Sequence, residues 1–147
     1  YSIAHQPGDG QIGLVRLDVQ VMVGNGKFTH TGFGSGSAIS DELKEAVNYC
    51  RSNLSRITQS AKFADNEMHM KATDINGIGT LQGLELAVFV SLISGLTSRP
   101  VQPQMCVLGS MSIGGTIIPT SDLAGALQNA SDAGSKRILI PLADMMQ

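Results

Sequence analysis

Cysteine is scarce in this sequence, and no apolar run is long enough to cross a bilayer. The two cysteines, Cys50 and Cys106, each lie in an apolar stretch, and the chain has no CxxC pair. Buried free thiols are therefore favoured over a disulfide or a zinc site, which favours a cytoplasmic location. The longest apolar run, residues 84–96, is too short to span a membrane, and no signal peptide is visible.

An excess of charge of one sign is also missing. The net charge is -2 and only 15% of the residues are charged, so the sequence provides no general attraction to nucleic acid or to an anionic membrane. Four basic residues lie near one another in the sequence, and a solvated surface is the favoured interpretation: Arg51, Arg56, Lys62 and Lys71. With 147 residues, 42% of them hydrophobic, the chain is long enough for one core but hardly for two.

Several motifs of known chemistry are absent. The sequence has no GxxxxGK[ST] phosphate-binding loop and no GxSxG nucleophile elbow. Gly77 and Gly79 precede an apolar run, but the third glycine of a dinucleotide fingerprint is displaced. His5, His30 and His69 are too scattered to suggest a metal site, and the last two are interpreted as structural residues on strands.

What the sequence does have is clear periodicity. Residues 1–13 contain proline and glycines and are interpreted as a loop. Val15–Val23 alternates between apolar and mostly polar positions, which predicts a half-buried strand. Gly24–Gly26 has the composition of a tight turn and is followed by a second strand, Lys27–Thr31. The pattern predicts a β-hairpin formed by these two strands.

Three segments have helical character. Ser40 is predicted to cap an amphipathic helix of about four turns. Residues 84–96 are apolar nearly all round, with Glu85 as the only charge, and predict a buried helix. Ser121 is predicted to cap a third helix that Gly134 ends.

Short strands complete the predicted domain. They are expected at residues 68–72, at 138–141, and in a second hairpin of residues 105–113 and 116–118 around Gly114 and Gly115. The resulting order, ββ-α-β-α-ββ-α-β, predicts an α+β or mixed α/β domain.

Three segments resemble the proteolytic domain of Lon proteases. GNGKFTHTG, residues 24–32, is similar to the family's GKGKLTYTG, which opens that domain and leads into a long amphipathic helix. VLGSMSIGGTIIP at residues 107–119 resembles the family's TGEITLRGQVLP, and ILIP at residues 138–141 matches its VLIP strand. The segments occur in order and cover nearly the whole chain. The resemblance implies a single Lon-type domain over residues 1–147, with strand hairpins packed against three helices.

The catalytic pair of the family is not carried over. The family has its nucleophilic Ser in PKDGPSAG and its Lys after a PIGGL turn. Leu81 stands at the position of the Ser and Ala124 at the position of the Lys, 43 residues apart (124 minus 81), which is the spacing of the family. The family's acidic residue before GPSAG is Ile78 here. The resemblance therefore implies a peptidase fold that has lost its dyad.

A displaced dyad is the alternative to this interpretation. Thr80 and Lys71 are the first pair to consider, and Ser110, Ser112 and Ser121 lie near the second motif. Turn-capping hydroxyls and a solvated lysine are favoured over such a pair. An ATP-dependent serine-type endopeptidase with a relocated dyad remains the alternative function.

The resemblance also carries expectations about the longer protein. Lon domains follow an AAA+ ATPase module and assemble as hexameric rings, and a chain that starts at Tyr1 without a P-loop is expected to be a C-terminal fragment of such a protein. ATP and Mg are expected in that module and no cofactor in this fragment. The sequence is most similar to the Lon-like AAA+ proteins of BREX phage-defence systems, which implies an unknown protein or DNA partner and no membrane. Candidate ring contacts are residues 32–36, residues 73–79 and Met145-Met146.

Overall fold

A computed structural model describes residues 2–5, 12–33, 37–59, 62–75, 84–101, 105–111, 115–118 and 123–141. Its strands and helices confirm the α+β class and the three predicted helices. In chain order they are β1 (Ser2–His5), β2 (Ile12–Val23), β3 (Phe28–Thr31), α1 (Ser37–Ile57), a short 3-10 helix (Phe63–Asp65), β4 (Asn66–Asp74), α2 (Glu85–Thr97), β5 (Met105–Val107), β6 (Ser110–Met111), β7 (Ile117–Ile118), α3 (Leu123–Asp132) and β8 (Arg137–Leu139).

The main sheet has four strands in the order β1-β2-β4-β3. β2 runs antiparallel to β4, with Val19 opposite Met70, and β3 runs parallel to β4, with Phe28 opposite Met68. The predicted hairpin of β2 and β3 is therefore wrong, because β4 lies between the two strands.

Backbone hydrogen bonds explain why the glycine turn does not close a hairpin. The N–H of Gly24 donates to the carbonyl of Asp65 at 3.2 Å, and the N–H of Gly26 donates to the carbonyl of Asn66 at 2.8 Å. The turn therefore binds the chain that enters β4 instead of bonding across its own ends. A Cβ at Gly24 would lie 2.5 Å from the Cβ of Glu67, so glycine permits this close crossing.

Two further predictions at the N-terminal side need correction. Residues 1–13 were interpreted as a loop, but Ser2–His5 pairs antiparallel with the start of β2. Pairing with β2 satisfies the backbone N–H and C=O groups of this short segment. Its four residues show no apolar alternation from which a strand could be predicted. Ser40 lies inside α1, which begins at Ser37, because no glycine or proline after Gly36 stops the helix from extending backwards.

One face of the sheet packs against α1 and α2. A Cβ at Gly95 of α2 would lie 2.8 Å from Cγ2 of Val21 and 3.0 Å from Cγ1 of Val19, so this helix lies directly on β2. Alternate residues of β4 face the helices and are buried: Met68, Met70 and Ala72. The same core contains buried side chains from both helices, among them Leu43, Ala46, Val47, Cys50, Leu54, Leu84, Val88, Leu92 and Leu96.

A second, smaller core lies beneath the C-terminal part of the chain. Leu14 of β2 packs there with Cys106, Leu108, Ala126 and Ala130. Successive side chains of a strand point to opposite faces, so Leu14 lies on the other side of the sheet from Val15, which belongs to the main core. α3 therefore packs at the start of β2, on the face that α1 and α2 leave uncovered.

The C-terminal strands confirm one predicted hairpin and split another segment. β6 pairs antiparallel with β7, with Met111 opposite Ile117, as expected for the second hairpin. The segment from Met105, however, divides into two strands, because β5 pairs parallel with β8 instead of continuing into the hairpin. Gly134 follows α3 with φ +90°, which confirms it as the end of that helix.

Both cysteines are free and buried, as the sequence predicts. Burial raises the pKa of the Cys50 thiol and of the Cys106 thiol to about 11, and the charge of Arg51 opposes the shift at Cys50. Both thiols are therefore protonated at neutral pH and unreactive in the folded state. No helix in the described part of the chain combines the length and apolar character needed to cross a membrane.

Candidate functional site

The position expected to carry the catalytic lysine is exposed on the third helix. Ala124 is the second residue of α3, and its side chain is open to solvent. An alanine methyl group has no atom that accepts a proton, so this position supplies no general base. Leu81, at the position of the nucleophile, and Ile78 lie outside the described residues. The loss of the pair as a unit stays a prediction from the sequence.

Of the alternative pair, Thr80 and Lys71, only the lysine lies within the residues that the structure describes. Lys71 is exposed on β4, with Asp18 of β2 and Thr31 of β3 as its register neighbours. It points away from α1 and α2, because the residues on either side of it, Met70 and Ala72, are buried beneath those helices. Thr80 lies outside the described residues, as do Ser112 and Ser121, while Ser110 is partly exposed on β6.

A buried carboxyl group occupies the start of α2. Glu85 is the first residue of that helix, only four residues beyond position 81, and is 8% exposed. Its carboxyl accepts hydrogen bonds from the backbone N–H groups of Glu85 itself and of Met111 on β6. Oε2 has no hydrogen-bond partner among the residues that the structure describes. In the sequence, Glu85 stands out only as the one charge of an apolar stretch, which predicts no role for it.

Burial is the main influence on the ionisation of Glu85. It raises the pKa of the carboxyl above the ordinary value of 4.5, the two backbone N–H groups oppose this shift, and the charge of Glu45 adds to it. The group is thus a weaker acid than a surface glutamate, and it is held at the first residue of α2.

Glu85→Gln is expected to flatten the pH dependence of folding stability. A raised pKa means that the folded chain binds the proton more tightly than the unfolded chain does. The stabilising contribution of this group is therefore full below pH 4.5 and is lost as the pH rises from there through the folded pKa. Glutamine keeps an oxygen for the two N–H groups and does not ionise. Urea unfolding between pH 4 and 8 measures the slope for both chains.

Asp132→Asn provides the matched control for this experiment, because Asp132 is exposed at the end of α3. That variant should keep the slope of the unmodified chain between pH 4.5 and 8. An unchanged slope in the Glu85→Gln variant would contradict the assignment of a buried, weakly acidic carboxyl.

Two histidines of the sheet contact side chains of β3 and of the residues after it. His69 lies between two threonines, with Nδ1 2.7 Å from Oγ1 of Thr29 and Nε2 3.4 Å from Oγ1 of Thr31. His30 is exposed on β3 and stacks edge-on against Phe33, with 5.6 Å between ring centroids. Within the described ranges, no three His, Cys, Asp or Glu side chains are grouped as metal ligands.

An apolar cavity of about 300 Å³ lies near Glu85, between α1, α2 and the β6–β7 pair. Tyr49 and Phe89 meet edge to face in its wall, with ring centroids 5.4 Å apart. Two isoleucines at its rim are strongly exposed, Ile57 at 45% and Ile117 at 50%. Exposed apolar surface of this kind is typical of contact with another protein.

Comparison with known proteins gives a match over nearly the whole chain. The profile of the Lon protease (S16) C-terminal proteolytic domain matches residues 4–147. A Lon-like protease BrxL of Escherichia coli O9:H4 (strain HS) is 40% identical over 141 residues. A Lon-like protease BrxL of Bacillus cereus (strain H3081.97) is 39% identical over 133 residues. A Lon protease of Vibrio parahaemolyticus serotype O3:K6 (strain RIMD 2210633) is 28% identical over 131 residues.

The matches cover the chain far better than they cover the relatives. They include 96%, 90% and 87% of this chain, but 20%, 20% and 16% of the three relatives, in the same order. The chain therefore spans about a fifth of the length of the two BrxL proteins.

Proposed function

Because this chain belongs to the family of the Lon protease C-terminal proteolytic domain, we propose that it is a non-catalytic domain of an ATP-dependent AAA+ machine, used for ring assembly or partner binding. The observation that carries the proposal is the pair of residues at the dyad positions. Leu81 and Ala124 stand there at the spacing of the family.

The chemistry of a Ser–Lys pair makes both replacements decisive. A serine hydroxyl becomes a nucleophile only when a base removes its proton, and a lysine serves as that base when its surroundings keep it neutral. Leucine offers no nucleophile, and alanine offers no base. Loss of either member of such a unit removes nearly all of the rate acceleration.

The size relation to the relatives supports a larger machine. Since the chain spans about a fifth of the BrxL proteins, the proposal places it at the C-terminal side of a longer protein as one domain, residues 1–147. The ATPase module, with ATP and Mg, would lie in the rest of that protein. A homo-oligomeric ring, a cytoplasmic location and a role in phage defence belong to the same proposal, as the resemblance to BREX Lon-like proteins implies.

The surface around the apolar cavity supports the assembly role. Ile57 of α1 and Ile117 of β7 are both exposed and line this cavity. A contact with a neighbouring subunit would remove these side chains from water. Residues 34–36, 76–79 and Met145-Met146, expected as ring contacts from the sequence, lie outside the described residues.

Cleavage by the full-length protein tests the proposal. In the presence of ATP and Mg, an unstructured fluorogenic protein is expected to be degraded no faster than in a blank without enzyme, because no activated hydroxyl is present. Fluorescence release over time is the measurement. Leu81→Ser with Ala124→Lys is the companion variant, and cleavage restored by it would mean that the rest of the site has been retained.

Lys71→Ala and Thr80→Ala provide the matched test of a relocated dyad. Cleavage by the purified protein that either substitution abolishes would refute the non-catalytic assignment and establish the peptidase alternative. If both variants retain the cleavage and a further purification column removes it, the activity belongs to a co-purifying host protease. The non-catalytic assignment then stands.

A further inference from the structure

The outer edge of the main sheet borders a groove on the surface of the domain. Among the strands that the structure describes, β3 is last in the order and has a neighbour, β4, on one side only. A cavity of about 340 Å³ lies between β3 and α1. Its apolar lining comes from Phe28 of the strand and from Leu43 and Val47 of the helix. The groove thus joins an open strand edge to an apolar helix face.

The backbone of β3 has hydrogen-bonding groups at this edge that no described strand pairs. The N–H of Met68 donates to the carbonyl of Lys27 at 2.9 Å, and Thr29 lies opposite His69. Alternate residues of a parallel strand bond to its neighbour, so the backbone of Lys27, Thr29 and Thr31 faces β4. The N–H and C=O groups of the residues between them therefore face outward, and such an edge is a template for a further strand.

The charged side chains that line the groove are all basic. Lys27 at the start of β3 and Lys44 and Arg51 on α1 are exposed around it, and its described lining contains no carboxylate. This runs against the net charge of the whole chain, which is -2. The guanidinium of Arg51 is held in place, because it lies 4.8 Å from the centre of the Phe63 ring and Nη2 donates to the carbonyl of Gly26 at 3.4 Å.

We propose that this groove binds an extended acidic segment of a partner protein, which adds as a strand to the free edge of β3. Its main chain would bond to the outward N–H and C=O groups of Phe28 and His30. Alternate side chains would enter the apolar groove, and carboxylates would meet the surrounding lysines and Arg51. A polypeptide fits better than a nucleic acid, because it presents N–H and C=O groups at the spacing of a strand.

This inference rests on the proposed function in treating the domain as a binding module, and it adds a location and a partner chemistry. Peptide binding is measured without ATP and without cleavage. A domain that binds the peptide and also cuts protein would overturn the proposed function and leave the groove assigned. A domain that neither binds the peptide nor cuts protein would overturn the assignment of the groove and leave the proposed function standing.

The test uses the 147-residue chain and a fluorescein-labelled ten-residue peptide of alternating glutamate and valine. Fluorescence anisotropy is expected to show saturable binding, and Lys44→Glu is expected to weaken it about fivefold or more, because a favourable charge contact becomes repulsive. Lys136→Glu makes the same charge change at an exposed residue outside the groove and should alter the affinity less than about twofold. Absence of saturable binding, or equal losses in the two variants, would overturn the proposal.

A second pair of variants tests strand addition itself. His30→Pro removes one outward N–H without removing a bond to β4, a position that edge strands tolerate, and is expected to weaken binding at least about tenfold. His30→Ala keeps the N–H and, like His30→Pro, lacks the imidazole that lines the groove, so it should bind at least about tenfold more tightly than His30→Pro. Equal binding by the two variants would contradict strand addition, as would tighter binding of a single-stranded oligonucleotide that His30→Pro does not disturb.

Hydrogen exchange keeps the test decisive if His30→Pro does not fold. In the unmodified chain, the amide of His30 is expected to exchange at least about tenfold more slowly once the peptide is bound, because it then donates to the added strand. An unchanged exchange rate at saturating peptide would contradict the proposal.

Discussion

Gly32→Ala is expected to destabilise the domain by about 4 kcal/mol, a large part of the roughly 5 to 15 kcal/mol by which a natural domain is stable. Gly32 follows β3 with φ +83°, a conformation that costs any residue with a Cβ about 1 to 2 kcal/mol. A Cβ at this position would also collide with the backbone carbonyl oxygen of Ala72 on β4. Backbone cannot move aside as a flexible side chain does. Urea unfolding followed by circular dichroism measures the loss.

Gly134→Ala is the control that separates strain from collision. Gly134 has φ +90°, nearly the same backbone conformation, but no atom lies within 4 Å of the place where a Cβ would be. We expect it to lose only about 1 kcal/mol. If the two variants lost the same amount, the close approach of Gly32 to β4 would not be present in solution.

Met70→Ala is expected to reduce the free energy of unfolding by about 3 kcal/mol. Met70 lies on β4 beneath the helices and is 0% exposed, so its removal leaves a cavity in the main core. Met22→Ala, on β2 of the same sheet, should cost less than about 0.5 kcal/mol, because Met22 is 44% exposed on the other face.

The comparison of the two methionines tests the assignment of the sheet faces. The same substitution is made in two strands that pair with each other, so differences in strand propensity are small. A greater loss for Met22 than for Met70 would mean that α1 and α2 pack on the opposite face of the sheet.

Much of the fold follows from the sequence because periodicity records burial. The alternation of Val15–Val23 predicts β2, and the apolar run from Leu84 predicts α2, which the structure places from Glu85 to Thr97. Which strands pair with each other does not follow from the periodicity. Gly24–Gly26 has the composition of a hairpin turn, and nothing in those residues records that Asp65 and Asn66 supply the acceptors for the two glycine N–H groups. The local sequence therefore specifies that the chain reverses direction after β2, but not that β4 lies between β2 and β3.

The candidate site likewise has features that the sequence predicts and features that it does not. The prediction that position 124 carries no base comes from the sequence alone, because an alanine side chain has no amine wherever it lies. The burial of Glu85 and the basic lining of the β3 groove depend on distant segments. Lys27 and Arg51 are 24 residues apart (51 minus 27) and meet only because α1 returns across the edge of the sheet. The sequence around Arg51 predicts only a solvated surface, and no residue near it in the chain indicates the groove.

The insertion of β4 between β2 and β3 has a consequence for the synthesis of this domain. β2 and β3 emerge from the ribosome long before residue 74, and until then neither has β4, its neighbour across the sheet. β2, whose alternate residues are apolar, must therefore wait while α1 is made, and the centre of the sheet closes only through contacts between distant parts of the chain. Such a topology folds slowly and leaves strand edges open in the meantime. A nascent chain stalled before β4 should thus be a preferred client of chaperones that bind extended apolar segments.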